Sequence, residues 1–188
     1  MLKYIKEFRK CIEIAGFSDV KIGNEKDFLK RIEEVKPPNV EIQFFNAAYV
    51  AGWQHLYFAV LNALTAFKNK GNISKSLAIE IMVYASAQRQ IRKAMGLLGI
   101  SSKTLQMAAV IVGGNPKIVK SALSVVSEMV NGKRDDKVLG LNAEKIRNIQ
   151  KVFGISDLEL KTIMRKNDVE EALIKSVIER MALLATQH

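Results

Sequence analysis

Apolar residues alternate along the first part of this chain and then settle into helical stripes. Tyr4, Ile5 and Phe8, followed by Ile12, Ile14 and Phe17, predict two short strands forming a hairpin, with Gly16 near the end of the second. Asn24 is a suitable cap for a helix over 25–35, with Asp27 at its third position reaching back. Phe28, Leu29, Ile32 and Val35 form its apolar stripe, and Pro37-Pro38 stops it. Val40, Ile42 and Phe44 alternate with Glu41 and Gln43, which predicts a third strand over 40–45. Asn46 then reads as the cap of a long helix over 47–69, carrying Val50, Trp53, Tyr57, Val60, Leu61, Leu64 and Phe67. After Gly71-Asn72, Ser74 reads as the cap of one helix over 75–98, with Leu77, Ile81, Tyr84, Ile91, Met95 and Leu98 as its apolar positions.

The run Leu105–Val112, bounded by Ser101-Ser102 and Gly113-Gly114, has the length and composition of a buried central strand. Pro116 opens a helix that ends near Asn131-Gly132, and residues 133–137 make a charged turn. Three capped helices follow. Asn142 opens 143–153, Ser156 with Glu159 opens 157–166, and Asp168 with Glu171 opens 169–185. The expected class is α+β, with a small central mixed or antiparallel sheet of about three to four short strands. About seven helices flank it, and the C-terminal third is helix-rich. No linker, repeat or low-complexity tract interrupts 1–188, so a single domain is expected.

Composition narrows the chemistry. The chain has 188 residues, 48% hydrophobic and 26% charged, which excludes a mainly disordered chain. One cysteine excludes an internal disulfide and a four-cysteine zinc site, and Cys11 reads as a small buried hydrophobe. The only histidines are His55 and His188, so a Ser-His-Asp arrangement has little to draw on. His55, near Trp53 and Tyr57 on an apolar helix, reads as a hydrogen-bonded core residue. No catalytic constellation, metal site, cofactor motif or small-molecule substrate site is visible. The first residues lack the apolar core of a signal peptide, and Met107–Val112 is far too short to span a membrane. A cytoplasmic protein with no membrane partner is expected.

Charge then sets a direction. The chain carries 29 Lys+Arg against 19 Asp+Glu, a net of +10. Residues 42–127 hold nine cations (Lys68, Lys70, Lys75, Arg89, Arg92, Lys93, Lys103, Lys117 and Lys120) and one acid, Glu80, so this segment carries +8 of that net. On the expected helix Arg89, Arg92 and Lys93 fall at i, i+3 and i+4 and share a face, flanked by Gln88 and Gln90. Guanidinium groups grip phosphate in a fork, and glutamines read base edges. A solvated helix face and a nucleic-acid surface are both open readings of this pattern.

Weaker candidates have simpler explanations. Gly113-Gly114-Asn115-Pro116-Lys117 matches no phosphate-loop motif and reads as a strand-to-helix turn. Tyr57, Phe58, Phe67 and Tyr84 could stack bases, but their spacing says core. The last helix presents Leu173, Val177, Ile178, Met181 and Leu184, whose default is packing on the protein itself.

Residues 74–80 (SKSLAIE) and 84–94 (YASAQRQIRKA) resemble the signature of the PRPK-binding protein family, the small regulatory subunit of the KEOPS complex. Residues 51–59 (AGWQHLYFA) are similar to that family's helix in its archaeal form, so the specific match covers about 50–94. The resemblance implies a small sheet flanked by helices and a protein without an active site. It also implies binding to, and stimulation of, the complex's kinase-like ATPase. It further implies recruitment of tRNA, including its 3′ CCA end, for making threonylcarbamoyladenosine next to the anticodon. By that resemblance Arg89, Arg92 and Lys93 are tRNA phosphate contacts, with Gln88, Gln90 and Lys75 as neighbours. Lys145, Arg147 and Lys151 are candidates to extend that surface and read equally well as solvated residues. The resemblance offers no motif in the variable C-terminal part, so the ATPase contact is assigned apart from it, to the last helix at Leu173, Val177, Ile178 and Met181. The alternative is a stand-alone basic RNA-binding module. An enzyme with an unrecognised site has little histidine, cysteine or clustered acid to use.

Overall fold

A computed structural model describes residues 1–164 and 168–186. In chain order it contains β1 (Leu2–Ile5), β2 (Lys10–Ser18), α1 (Glu25–Val35), β3 (Glu41–Asn46), α2 (Gly52–Lys68), α3 (Leu77–Ser86), α4 (Ile91–Leu98), β4 (Met107–Gly113), α5 (Pro116–Met129), β5 (Lys133–Arg134), α6 (Ala143–Phe153), α7 (Asp157–Ile163) and α8 (Val169–Thr186). Single 3-10 turns lie at Ala47–Tyr49 and Asp136–Leu139. The α+β class is as expected. The chain divides into two compact units, Met1–Ala47 with Gly99–Val138, and Ala48–Leu98 with Leu139–His188.

The first unit holds the sheet. Its strand order is β1-β2-β4-β3, with β5 added beside the end of β2, and every pairing is antiparallel. β4 is interior and all seven of its residues are buried, which is why that stretch is continuously apolar. Ala109 lies opposite Ala15 on one side and Phe44 on the other. On this face Phe17, Phe44, Met107 and Ile111 pack with Phe28 and Ile32 of α1 and Val119, Ala122 and Val126 of α5. Phe28 and Phe44 meet as a tilted ring pair 5.2 Å apart. Leu29 and Val35, expected in the stripe of α1, lie exposed because only the Phe28–Ile32 line faces the sheet.

Asn24 caps α1 as expected, accepting from the Lys26 and Asp27 backbone N–H groups. Gly113-Gly114 is a strand-to-helix turn. Asn115 caps α5 by accepting from the Ile118 N–H at 3.0 Å, and Pro116 takes the first position. The charged turn is more structured than expected. Lys133–Arg134 pairs with Phe17 and Ser18, and Asp136 accepts from the Gly16 N–H at 2.8 Å and from Arg134 Nε at 2.8 Å. Gly16 therefore sits inside β2, under the backbone of 135–136. A Cβ there would run into the Asp135 carbonyl oxygen and lie 2.7 Å from Val138 Cγ2.

The second unit is helical, and two expectations about where its helices begin and end need correction. Asn46 ends β3 rather than capping a helix. α2 begins at Gly52, which turns at φ +76°, a conformation open to glycine. The single helix expected over 75–98 is two helices, and its cap is Ser76, not Ser74: Ser76 Oγ accepts from the Ile79 N–H at 3.4 Å. α3 stops at Ser86 because Ala87 takes the left-handed conformation at φ 51°. The Ala87 N–H then reaches the Tyr84 carbonyl and the Gln88 N–H the Val83 carbonyl, at 2.9 and 3.2 Å.

Residues 81–86 of α3 are all buried, so a straight continuation would carry Arg89, Arg92 and Lys93 toward the same dry surroundings. Turning at Ala87 lets α4 bury only Ala94 and Leu98 and leave its cations in water. Asn142, Ser156 and Asp168 cap their helices as expected, but the carboxylates expected to complete two capping boxes pair elsewhere, Glu159 with Arg180 and Glu171 with Lys175. α7 ends at Ile163, and the expected extension to 165–166 lies outside the described residues.

Candidate functional site

The acid-poor segment is shared out by the fold. Lys68, Lys70, Lys75, Arg89, Arg92 and Lys93 belong to the helical unit, and Lys103, Lys117 and Lys120 to the sheet unit. All the residues expected to contact RNA are therefore in the helical unit. They do not lie on one helix face. Gln88, Arg89 and Gln90 occupy the turn after Ala87, while Arg92 and Lys93 are the second and third residues of α4. The i, i+3, i+4 argument therefore fails for Arg89, because Ala87, two residues before it, leaves the helical conformation.

What the turn produces instead is a cluster at the start of a helix. Arg89, Gln90, Arg92 and Lys93 are exposed, and Gln88 is half-buried. The first turn of α4 has no acidic residue. A helix N-terminus carries partial positive charge and unpaired N–H groups, so cations there are locally unfavourable by about 0.3–1 kcal/mol each. Among the described residues neither Arg92 nor Lys93 has an ion-pair partner. Arg92 and Lys93, which oppose their own helix dipole with no described carboxylate to pair them, suit an anion supplied from outside.

The one carboxylate of 42–127 does not offset this surface. Glu80, in the first turn of α3, is fully buried. Both its oxygens accept from the Ile73 N–H, at 3.1 and 3.0 Å, and Oε2 also accepts from the Ser74 N–H at 2.7 Å. Lys75 follows directly and is exposed. Tyr84, one turn along α3, is 4% exposed, and its hydroxyl is pushed above the usual range by burial and by Glu80, with Arg89 acting the other way. Sequence reasoning missed the role of Glu80, although a lone acid in such a cationic stretch was the available signal.

His55 is a core residue, as expected. The Ala51 N–H donates to its Nδ1 at 3.1 Å, and Nε2–H donates to the Ala85 carbonyl at 2.7 Å. Burial and the field of Lys145 hold it at about 4. Lys145 is itself buried and lowered to about 8 by desolvation, so it does not extend the cationic surface, while Arg147 and Lys151 are exposed. His188 lies outside the described residues. Of the aromatics, Tyr84 is buried, Tyr57 and Phe67 are half-buried, and Phe58 is 40% exposed.

On α8, Leu173, Val177 and Met181 are fully buried, the first two in the unit's own core beside Ile149, Ile155 and Leu160. A side chain so placed cannot also face a partner, so these three belong to packing. Ile178 alone of the four points elsewhere. With Phe58, Ile174 and Ala182 it floors a groove of about 740 Å³ between α2 and α8, rimmed by Asp168, Glu170, Glu171 and Glu179. Lys175 on the rim pairs with Glu171 at 2.6 Å. The second stripe, Ile174-Ile178-Ala182 at spacing four, was the sequence signal for this groove. No described helix is long and apolar enough to cross a membrane.

Comparison with known proteins adds identity to this geometry. The family described as kinase binding protein CGI-121 matches residues 17–185. The regulatory protein Cgi121 of Methanocaldococcus jannaschii is 33% identical over 119 residues, which is 62% of this chain and 72% of that protein. Residues 50–94, which carry the resemblance noted from sequence, fall within the matched span. The chain belongs to the CGI-121 family.

Proposed function

We propose that this protein is a non-catalytic adaptor of the KEOPS complex, which binds and stimulates the kinase-like ATPase subunit and recruits tRNA for threonylcarbamoyladenosine formation. The family's description as kinase binding, and the relative's name as a regulatory protein, support the first half. The unneutralised Arg92 and Lys93 at the positive end of α4, with Arg89, Gln88 and Gln90 in the preceding turn and Lys75 before α3, support the second. The observation that carries the reading is that Arg92 and Lys93 oppose their own helix dipole with no described carboxylate to pair them. A charge-clamped backbone contact of this kind suits a flexible single strand such as the 3′ CCA end.

The groove floored by Phe58, Ile174 and Ile178 is the candidate surface for the ATPase, replacing the enclosed residues of α8. Its acidic rim would match a basic segment. A non-catalytic role is supported by His55, whose ring nitrogens are both engaged in the core.

The test is tRNA binding with and without the terminal CCA nucleotides, for the wild type and an Arg92→Glu/Lys93→Glu variant. Wild type binds the complete tRNA more tightly and with a steep salt dependence, and the variant loses both. Equal binding by the variant at moderate salt rejects the site.

A further inference from the structure

A buried carboxylate is costly unless it is hydrogen-bonded, and it usually has a cation beside it. Glu80 has backbone N–H groups instead, three contacts from Ile73 and Ser74 between 2.7 and 3.1 Å. It is not needed to cap α3, because Ser76 already does that by accepting from the Ile79 N–H. Its bonds go to the chain ahead of the helix.

That segment has no strand or helix of its own and follows Lys70, held at φ +57°. Its remaining ties are short-range and polar. Asn72 Nδ2 donates to the Ser74 carbonyl at 2.9 Å, and the Ser76 N–H donates to Ser74 Oγ at 3.1 Å. Ser74 is thus gripped from both sides, and among the described residues its hydrogen bond to the helix body is the one to Glu80. Lys75 lies between Ser74 and Ser76, both of whose N–H groups are fixed, and its own side chain is in solvent.

We propose that Glu80 is a positioning residue of the RNA surface, whose enclosed carboxylate holds Ile73 and Ser74 so that Lys75 is presented to phosphate in one place. The proposal rests on the RNA-binding reading above and deepens it. Holding the backbone removes conformational freedom that Lys75 would otherwise lose on binding. It also explains why one acid stands in a segment otherwise rid of acids: the negative charge is spent on N–H groups in the interior.

Charge and position predict opposite signs, which makes the test sharp. Glu80→Gln removes a negative charge, so attraction for RNA alone would leave affinity unchanged or raised. Positioning predicts at least a threefold loss of tRNA affinity in the full chain, a shallower salt dependence, and faster amide exchange at Ile73 and Ser74. A cycle with Lys75→Gln locates the effect: in the Lys75→Gln background, Glu80→Gln costs no further affinity. If Glu80→Gln melts the fold, Glu80→Asp, which keeps the charge and withdraws it by one methylene, takes its place in the cycle. Unchanged or tighter binding, or losses that simply add, overturns the proposal while Arg92→Glu still weakens binding. If Arg92→Glu/Lys93→Glu also leaves binding intact, the RNA reading falls, and this proposal with it.

Discussion

His55 Nε2 lies 2.7 Å from the carbonyl oxygen of Ala85, so one imidazole ties the first turn of α2 to the last turn of α3. Its other nitrogen accepts from the Ala51 N–H, which has no side-chain cap of its own. The neutral ring is required at both ends, since Nδ1 must accept.

Acid should therefore loosen the helical unit. Burial first, and Lys145 after it, lower His55 to about 4 against an ordinary 6.5, with the Ala85 bond partly countering them. The unfolded chain takes up the proton before the folded one does. The contribution of His55 is complete above about pH 6.5 and is lost as pH falls toward 4, amounting to about 3 kcal/mol. Urea midpoints measured at pH 7.5 and pH 5 should drop for wild type. His55→Gln should start lower and drop less; equal drops would contradict the assignment.

Stability and binding should move in opposite directions at the start of α4. Arg92→Glu puts an acid where the helix dipole favours one, adding about 0.5 kcal/mol at low salt. The same change should weaken tRNA binding at least tenfold and lower the salt slope by about one to two. Calorimetry and fluorescence anisotropy on one preparation check both. Loss of stability together with affinity would mean that Arg92 is structural.

Ile178→Glu places a charge on the floor of the groove without touching the core formed by Leu173 and Val177. It should abolish co-purification with the kinase-like ATPase subunit and leave melting and tRNA binding at wild-type values. Retained co-purification would remove the groove from consideration.

Gly16→Ala should be among the most damaging single changes in the sheet unit. The added methyl meets the Asp135 carbonyl and the Val138 side chain, and relief would pull Asp136 off the Gly16 N–H. A loss of about 2–3 kcal/mol is expected from such overpacking against backbone. A melting temperature within a degree of wild type would show that the 135–138 turn yields freely.

Ala87→Gly should do the reverse. Alanine at φ 51° bears left-handed strain of about 1 kcal/mol that glycine avoids. Part of the gain is lost to the freer unfolded chain. A small rise in melting temperature is the expected result; a fall would mean that this turn carries no strain.

The caps at Asn24, Asn142, Ser156 and Asp168 were legible because each acts within one turn of its own position. Most of β4 was legible because a strand buried on both faces has to be apolar throughout, but it begins at Met107 and leaves the expected first residue, Leu105, 70% exposed. The end of α3 was not, since alanine, serine, glutamine and arginine all tolerate a helix and no glycine marks the stop. The cations of the candidate RNA surface were visible as a count but not as a shape, because Ala87 moves Arg89 off the helix that carries Arg92. Nor does any pattern say which apolar stripe of α8 is enclosed: Leu173-Val177-Met181 and Ile174-Ile178-Ala182 repeat at the same spacing.

By itself, then, the amino-acid order determined where most elements begin, the α+β class and the excess of positive charge. These follow from local hydrogen bonding, periodicity and ionisation, which need no distant partner. Only the tertiary structure decided that α3 must end before its cations, that Glu80 turns inward onto Ile73 and Ser74, and that Ile178 faces a groove while Val177 does not. Each of those outcomes depends on which surfaces become dry, and desolvation is a property of the packed chain as a whole.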